Sequence, residues 1–296
     1  MKLSLSVRVG EKYTNKREAA ISLAKLADIA GAAGYHAICM RPSQIGIHSR
    51  CEEVLLKARL LCQRGLRVSM VTGDFAIPEN TDEGPHALRN IEPYLDLAEA
   101  LDCHLVRVAL RKDEDIVWAQ RAADTAKERG ITLTHQCHNR SLFERVDETL
   151  DVLRRIGRVN FGLTYEPANL ECCGQSYGRE TLKRFAPYLV NVYLQNQRVY
   201  FAGQSVMKTW CCGDVSFDQI PLWDDSGIDF PGIIAALEEL GYTGYVTVHQ
   251  AALLTPQEDA GRSAQYLRSI GHFEPAVDIL DDPARLNVKS QHSTED

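Results

Sequence analysis

The sequence predicts a single α/β domain, a (β/α)8 TIM barrel, and three observations carry that expectation. Short runs of alternating apolar residues take turns with segments of helical spacing, eight times along the chain. Alternation of this kind implies parallel strands joined by crossover helices, and eight such units close a barrel. The turn after the first run, Val9-Gly10-Glu11-Lys12, lacks the glycine-rich loop that an open doubly wound sheet places there. No nucleotide cofactor is expected for the same reason.

The expected strands are 3–9, 35–40, 66–72, 104–109, 131–136, 159–165, 190–195 and 245–249. Between them lie helical faces such as Ala19, Leu23, Leu26, Ala27 and Ala30, then Val54, Leu55, Ala58 and Leu61, and later Leu142, Val146, Leu150 and Leu153. Several helices run into a glycine before the next strand, at Gly34, Gly65, Gly130, Gly157 and Gly241, as a left-handed C-terminal cap requires. The longest irregular stretch, 205–227, follows strand seven. It therefore belongs on the active face, as a lid or binding element or as a surface insertion packed by its own tryptophans. The chain divides into a barrel over 1–272 and a C-terminal extension over 273–296 whose last residues, from 289, are frayed.

Composition bounds the function. The 296 residues are 45% hydrophobic and 25% charged with a net charge of −7, which fits a globular protein and offers no electrostatic footprint for nucleic acid. No apolar run reaches membrane-spanning length, and the alternating start, Met1-Lys2-Leu3-Ser4-Leu5-Ser6, is unlike a signal peptide, so a cytoplasmic protein without nucleic-acid or membrane partners is expected. Nine cysteines include two vicinal pairs, Cys172-Cys173 and Cys211-Cys212. Neither has the spacing of a thiolate zinc motif, and free cysteines in core and loops are the simpler reading.

Alternation also sorts the barrel interior. One face of each strand is apolar and should pack against helices, as with Leu3, Leu5 and Val7, or Val190, Val192 and Leu194. The other face is polar where a structural lumen would hold Val, Ile and Leu. It offers Ser4, Ser6, Arg8, Cys39, Arg41, Arg107, Thr132, Thr134, Gln136, His138, Thr164, Glu166, Asn191, Tyr193, Gln195, Thr247 and His249. The larger members come late in their strands, at the end where such barrels build their sites. Arg8, Arg41, Arg107, Gln136, Glu166, Tyr193, Gln195 and His249 thus form a candidate ring. Each member also has a structural reading: an arginine as a salt-bridged wall residue, His249 as a satisfied core histidine, Glu166 as a helix cap before Pro167, Tyr193 as filler.

Five segments resemble the sugar phosphate isomerase/epimerase superfamily, the xylose isomerase-like TIM barrels. They are Pro221-Leu222-Trp223-Asp224-Asp225-Ser226-Gly227-Ile228-Asp229-Phe230-Pro231, like the family's approach to its last helix, Gly241-Tyr242-Thr243-Gly244-Tyr245-Val246-Thr247-Val248-His249, Phe161-Gly162-Leu163-Thr164-Tyr165-Glu166-Pro167-Ala168-Asn169, Ala186-Pro187-Tyr188 leading to Asn191-Val192-Tyr193-Leu194-Gln195-Asn196, and Gly130-Ile131-Thr132-Leu133-Thr134-His135-Gln136-Cys137-His138. The resemblance implies a divalent metal held by Glu, Asp, His and Glu from strands five to eight. Those positions are Gln136, Glu166, Tyr193 and His249 here, so this is a divergent member and the family's two-carboxylate epimerase chemistry does not carry over.

The expectation is a sugar or sugar-acid isomerase or epimerase that transfers a proton next to a carbonyl. His249 is the expected base and Glu166 its catalytic partner. Arg8, Arg41, Arg107, His138, Asn169, Tyr193 and Gln195 would bind substrate. Glu166, His249 and Gln136 would be ligands for Mn, Fe, Co or Zn if a metal is held. Three inward arginines against one carboxylate favour an anionic carbohydrate. A lyase or dehydratase on a keto-sugar, and a non-catalytic sugar-binding barrel that has lost its metal, are the alternatives. A hydrolytic endonuclease of the same fold would need more His and carboxylates than the ring holds. A homo-oligomer is left open.

Overall fold

The computed structural model describes residues 1–275, and these form a closed barrel. Its strands are β1 (Lys2–Ser6), β2 (Ala37–Met40), β3 (Arg67–Val71), β4 (Leu105–Arg107), β5 (Thr132–Gln136), β6 (Phe161–Tyr165), β7 (Leu189–Leu194) and β8 (Tyr245–Val248). All pair in parallel, each with its chain neighbours, and β1 closes the ring by pairing with both β2 and β8. The extension expected over 273–296 lies, from 276 onward, outside the described residues. Among the described residues no helix is long and apolar enough to cross a membrane.

The helices form where apolar spacing and punctuation coincide. Ser22 caps Leu23–Ala32 by accepting from the Lys25 amide, and Leu23, Leu26, Ala27 and Ala30 turn inward. Gly34, Gly65, Gly130, Gly157 and Gly241 all take positive φ, the conformation that favours glycine at a helix end. All three helical faces differ from expectation at one residue. Ala19 ends the short strand Asn15–Ala19, ahead of the helix that Ser22 caps. Leu55 is exposed on the helix Cys51–Cys62, and Leu142 lies before the helix Val146–Ile156, in a loop where its amide donates to the Leu110 carbonyl.

Two additions stand on the C-terminal face. Residues Glu11–Lys12 and Asn15–Ala19 pair as a small hairpin directly after β1. Strands Gln197–Val199, Asp214–Gln219 and Ser205–Lys208 pair antiparallel in that order, so much of the stretch expected to be irregular is an ordered three-stranded sheet. Strand one also ends sooner than expected: a 3-10 turn, Val7–Gly10, carries Arg8.

Candidate active site

The floor of the site is the polar lumen, whose side chains largely pair with one another, although Asn191 Nδ2 has no partner. Ser4 Oγ meets Ser69 Oγ at 2.7 Å, and Thr134 meets Thr164 at 3.0 Å. Thr247 donates to Asn191 Oδ1 at 3.4 Å. Pairing inside the barrel removes the cost of ~1–3 kcal/mol that each unpartnered hydroxyl would carry. Cys39, Met70 and Tyr193, with Leu105 against them, form a small apolar plug separate from the large core between barrel and helices. Tyr193 differs from its expected role. It points inward, as its parity requires, but one layer below the cavity, where its hydroxyl meets Cys39 Sγ at 3.1 Å and it is fully buried. It supports His249, whose ring stacks on it at 3.7 Å and 6°.

Above this floor opens a cavity of about 400 Å³, within the range of small-molecule sites. Arg8, Arg41, Arg107, Gln136, His138, Glu166, Asn169, Gln195 and His249 all line it. The ring that strand parity marked out is therefore brought together, apart from Tyr193.

Glu166 follows β6 directly, and Pro167 opens the short helix Pro167–Cys172 immediately behind it. One turn on, Asn169 donates from Nδ2 to Glu166 Oε2 at 2.6 Å and to the Cys137 carbonyl at 2.8 Å. Gln136 Nε2, from β5, donates to the same Oε2. Both donors fall on one oxygen, which leaves Oε1 to the cavity. Burial pushes the Glu166 carboxyl up to about 8, against the pull of Arg107, Lys16 and Arg41.

His249 follows β8. Arg41 Nη1 lies 3.4 Å from its Nε2, and a guanidinium can only donate. The imidazole proton therefore sits on Nδ1, which donates to Ser6 Oγ at 3.0 Å. Burial, and then Arg41, Arg107 and Arg8, hold its pKa well below the ordinary histidine value. The sequence argument took His249 to titrate near neutrality; in this setting it stays neutral and is a weak proton acceptor. His138 is likewise lowered, to about 3, by burial and Arg107, and its Nδ1 donates to the Asn139 carbonyl at 3.1 Å.

The cavity is rich in positive charge. Arg8 and Arg41 share Glu11, at 3.4 and 2.9 Å, and Ser43 Oγ also donates to that carboxylate at 2.7 Å. Arg107 is 2% exposed, its Nε has no partner, and it forms no ion pair among the described residues. Arg41 Nη2 is also unpartnered. The Lys16 ammonium hangs at the mouth, donating to the Pro78 carbonyl at 3.3 Å, and burial followed by Arg41, Arg8 and Arg107 pushes it down to about 8. Lys16 and, from the added sheet, Val206, Met207, Lys208, Phe217 and Gln219 also line the cavity, and Glu11 lies against Arg8 and Arg41; strand alternation marks none of them. A signal for Glu11 was present, since two inward arginines demand a counter-charge and Glu11 sits in the turn that follows Arg8.

The ring does not suit a divalent cation. It holds one carboxylate; His249 Nε2 already faces a guanidinium; Gln136 turns its amide nitrogen to Glu166 and leaves Oε1 unpartnered. Glu166, His249 and Gln136 stand among Arg8, Lys16, Arg41 and Arg107, whose field opposes a second cation.

The chain belongs to the xylose isomerase-like TIM barrel family, whose model matches residues 26–270. The sequence matches no curated protein. Among similar solved structures is the probable 3-DHS dehydratase AsbF of petrobactin synthesis from Bacillus anthracis, at 15% identity, with 90% of this chain and 99% of that one covered and a TM-score of 0.68. A xylose isomerase-like TIM barrel protein from Mycobacterium smegmatis, in complex with magnesium, is 15% identical over 91% of this chain and 96% of that one, TM-score 0.67. D-allulose 3-epimerase from Methylomonas sp. is 18% identical over 91% and 98%, TM-score 0.61. At such identities the likeness is one of fold.

Proposed function

We propose that this protein is an enzyme that transfers a proton next to a carbonyl of an anionic sugar derivative, a sugar acid or sugar phosphate, with Glu166 as the proton-transferring group. The observation that carries the reading is the pairing of a cavity-facing carboxyl displaced to about 8 with an unpaired, buried Arg107 guanidinium beside it. A desolvated guanidinium is costly without a counter-anion, and arginine grips carboxylate or phosphate in two places. The chain's net charge is −7, yet its cavity is lined by Arg8, Lys16, Arg41, Arg107, Arg140 and Lys208 against Glu79, which Arg17 pairs, and a largely protonated Glu166, with Glu11 pairing Arg8 and Arg41.

The roles follow from position. Arg107 and Arg41 hold the anionic group. Gln136 and Asn169 fix Oε2 of Glu166, so that Oε1 meets the substrate. In its ionised form Glu166 takes the proton from carbon; the electron pair left behind moves into the carbonyl, whose oxygen gains negative charge that the guanidinium groups offset. The substrate's adjacent hydroxyl gives its proton to that oxygen, directly or through a cavity group, and becomes the new carbonyl as the protonated Glu166 returns its proton to the former carbonyl carbon, which completes an isomerisation. No step in this account passes through a metal.

A second reading has an observation of its own. The cavity contains one displaced carboxyl, whereas inversion at carbon by two bases needs a partner on the opposite face, and His249 there is a weak acceptor. One group acting twice also suits dehydration: Glu166 removes the carbon-bound proton and hands it to the departing hydroxyl, which leaves as water. Epimerisation by two bases is the least supported of the three.

The test is to incubate the protein in D2O with matched neutral and acidic sugars and follow deuterium at carbon by NMR, with products identified by mass. Exchange with an acidic compound, reduced at least about 100-fold in Glu166→Gln, is expected. A product lighter by one water assigns the dehydratase. Exchange that survives in Glu166→Gln, or is confined to neutral sugars, overturns the proposal, as does a panel of acids with no exchange at all.

A further inference from the structure

The vicinal cysteines stand outside the cavity chemistry, yet the fold brings them together. Cys211 and Cys212 occupy the turn between the strands Ser205–Lys208 and Asp214–Gln219. Cys173 follows the helix Pro167–Cys172, which carries Asn169, and Glu144 lies in the loop after β5. The Cys173 thiol, the Cys211 thiol and a Glu144 carboxylate oxygen all lie within 4.8 Å of one another. The Cys211 thiol donates to the Cys173 carbonyl at 3.2 Å, and the Cys212 sulfur overhangs Gly174, where a Cβ would meet it at 3.2 Å. Cys172 faces elsewhere, its sulfur taking the Gln197 amide at 2.8 Å.

An independent observation concerns Glu144. It is 2% exposed and has no ion pair among the described residues. The amides of Arg140 and Trp210 both donate to Oε1, at 3.1 and 2.8 Å. The adjacent Arg145 pairs with Glu148 instead. A buried carboxylate facing thiols, with no basic group in contact, lacks the cation that such burial normally requires.

We propose that Cys173, Cys211, Cys212 and Glu144 form a binding site for a thiophilic divalent cation, Zn²⁺ above all, which fastens the added sheet to the barrel. Two sulfurs and one carboxylate oxygen already lie close enough to share a cation, and Cys212, next in the chain to Cys211, is the ligand that would close a four-coordinate set of the structural kind. On binding, each thiol gives its proton to solvent and coordinates as thiolate; no oxidation is involved. The consequence is mechanical. The strand that lines the cavity with Val206, Met207 and Lys208 would be tied to the loops that follow β5 and β6, hence to the segment holding Glu166 and Asn169. This inference does not depend on the proposed reaction.

The full chain, reduced and loaded with Zn²⁺, is dialysed and its metal content measured; Co²⁺ loading serves as a spectroscopic reporter. About one tightly held Zn²⁺ per chain is expected, with a sulfur-to-cobalt charge-transfer band and the strong visible bands of tetrahedral Co²⁺. Cys173→Ser and Cys211→Ser should lose both signals, while Glu166→Gln and His249→Ala keep them. Hydrogen exchange should slow over 205–219 when Zn²⁺ is bound to the unaltered chain, a readout that needs no variant to fold. Three results overturn the proposal: no retained Zn²⁺ in the reduced protein, metal lost through Glu166→Gln but not the cysteine variants, or a Cys173–Cys211 disulfide that forms in place of metal binding.

Discussion

Glu166 is kept out of water by its position at the strand end, and the guanidinium groups around it limit how far its pKa rises. That balance has a kinetic signature. If the ionised carboxylate is the base, kcat/KM should rise about tenfold per pH unit below about 8 and level off above it. A profile flat from pH 6 to 9 would remove Glu166 from the role. Arg107 makes the complementary case. Its Nε is buried without a partner, so Arg107→Met should leave the unfolding midpoint unchanged or raise it, while acidic sugars bind at least about tenfold more weakly and lose their salt dependence. A folded variant with unaltered affinity would show that the guanidinium serves the wall alone. Strand parity made most of these residues legible, since a period of two assigns a face without knowledge of the partner strand. It could not rank depth along the axis, which is why Tyr193 was expected in the cavity. Nor could it see that Arg41 would sit against His249 and suppress its basicity.

Elements were legible where burial imposes a pattern and obscure where it does not. The eight barrel strands are covered on both sides by protein, and each was expected within a few residues. The strands Ser205–Lys208 and Asp214–Gln219 are only half-covered, with no consistent apolar face to mark them, and they were expected to be irregular. Glycine punctuation was a surer guide, and it yields an opposed pair of outcomes. Gly130 has φ +66 with nothing within 4 Å of an added Cβ, so Gly130→Ala should cost about 1 kcal/mol from backbone strain alone. Gly31, inside the helix Leu23–Ala32, is equally open but has helical φ, and Gly31→Ala should gain about 0.5–1 kcal/mol. Urea unfolding midpoints measure both; shifts of the same sign would refute the conformational account.

Across the whole molecule, the buried ionisable groups oppose one another in pH. His135, His138 and His249 are all held below the ordinary histidine value by burial. His135 has no partner on either ring nitrogen and packs on Phe143 at 4.4 Å. Their folded pKa values are depressed, so the stability from keeping them neutral is fully present above about 6.5 and is lost as pH falls, because the unfolded chain binds three protons that the native state refuses. Glu166 has the reverse sign: between about 4.5 and 8 the native state holds a proton that the unfolded chain releases. Between about 4.5 and 6.5 the three histidines outnumber Glu166, so stability should fall on acidification. In Glu166→Gln, which lacks the opposing proton, the fall should be steeper. Stability curves collected at several pH values test this, and a shallower slope in the variant would contradict it.

The bond from His249 to Ser6 spans 243 residues of chain, and β1 is the strand through which the barrel closes on β8. The cavity draws on groups from Arg8 to His249, so no contiguous fragment of the chain contains it. During refolding, the outer layer of helices and neighbouring strand pairs can assemble from local contacts, but the seam between first and last strand must wait for the longest loop to be closed. Ligand binding should therefore be recovered last, on the time scale of seam closure, and later than the bulk of the helical signal.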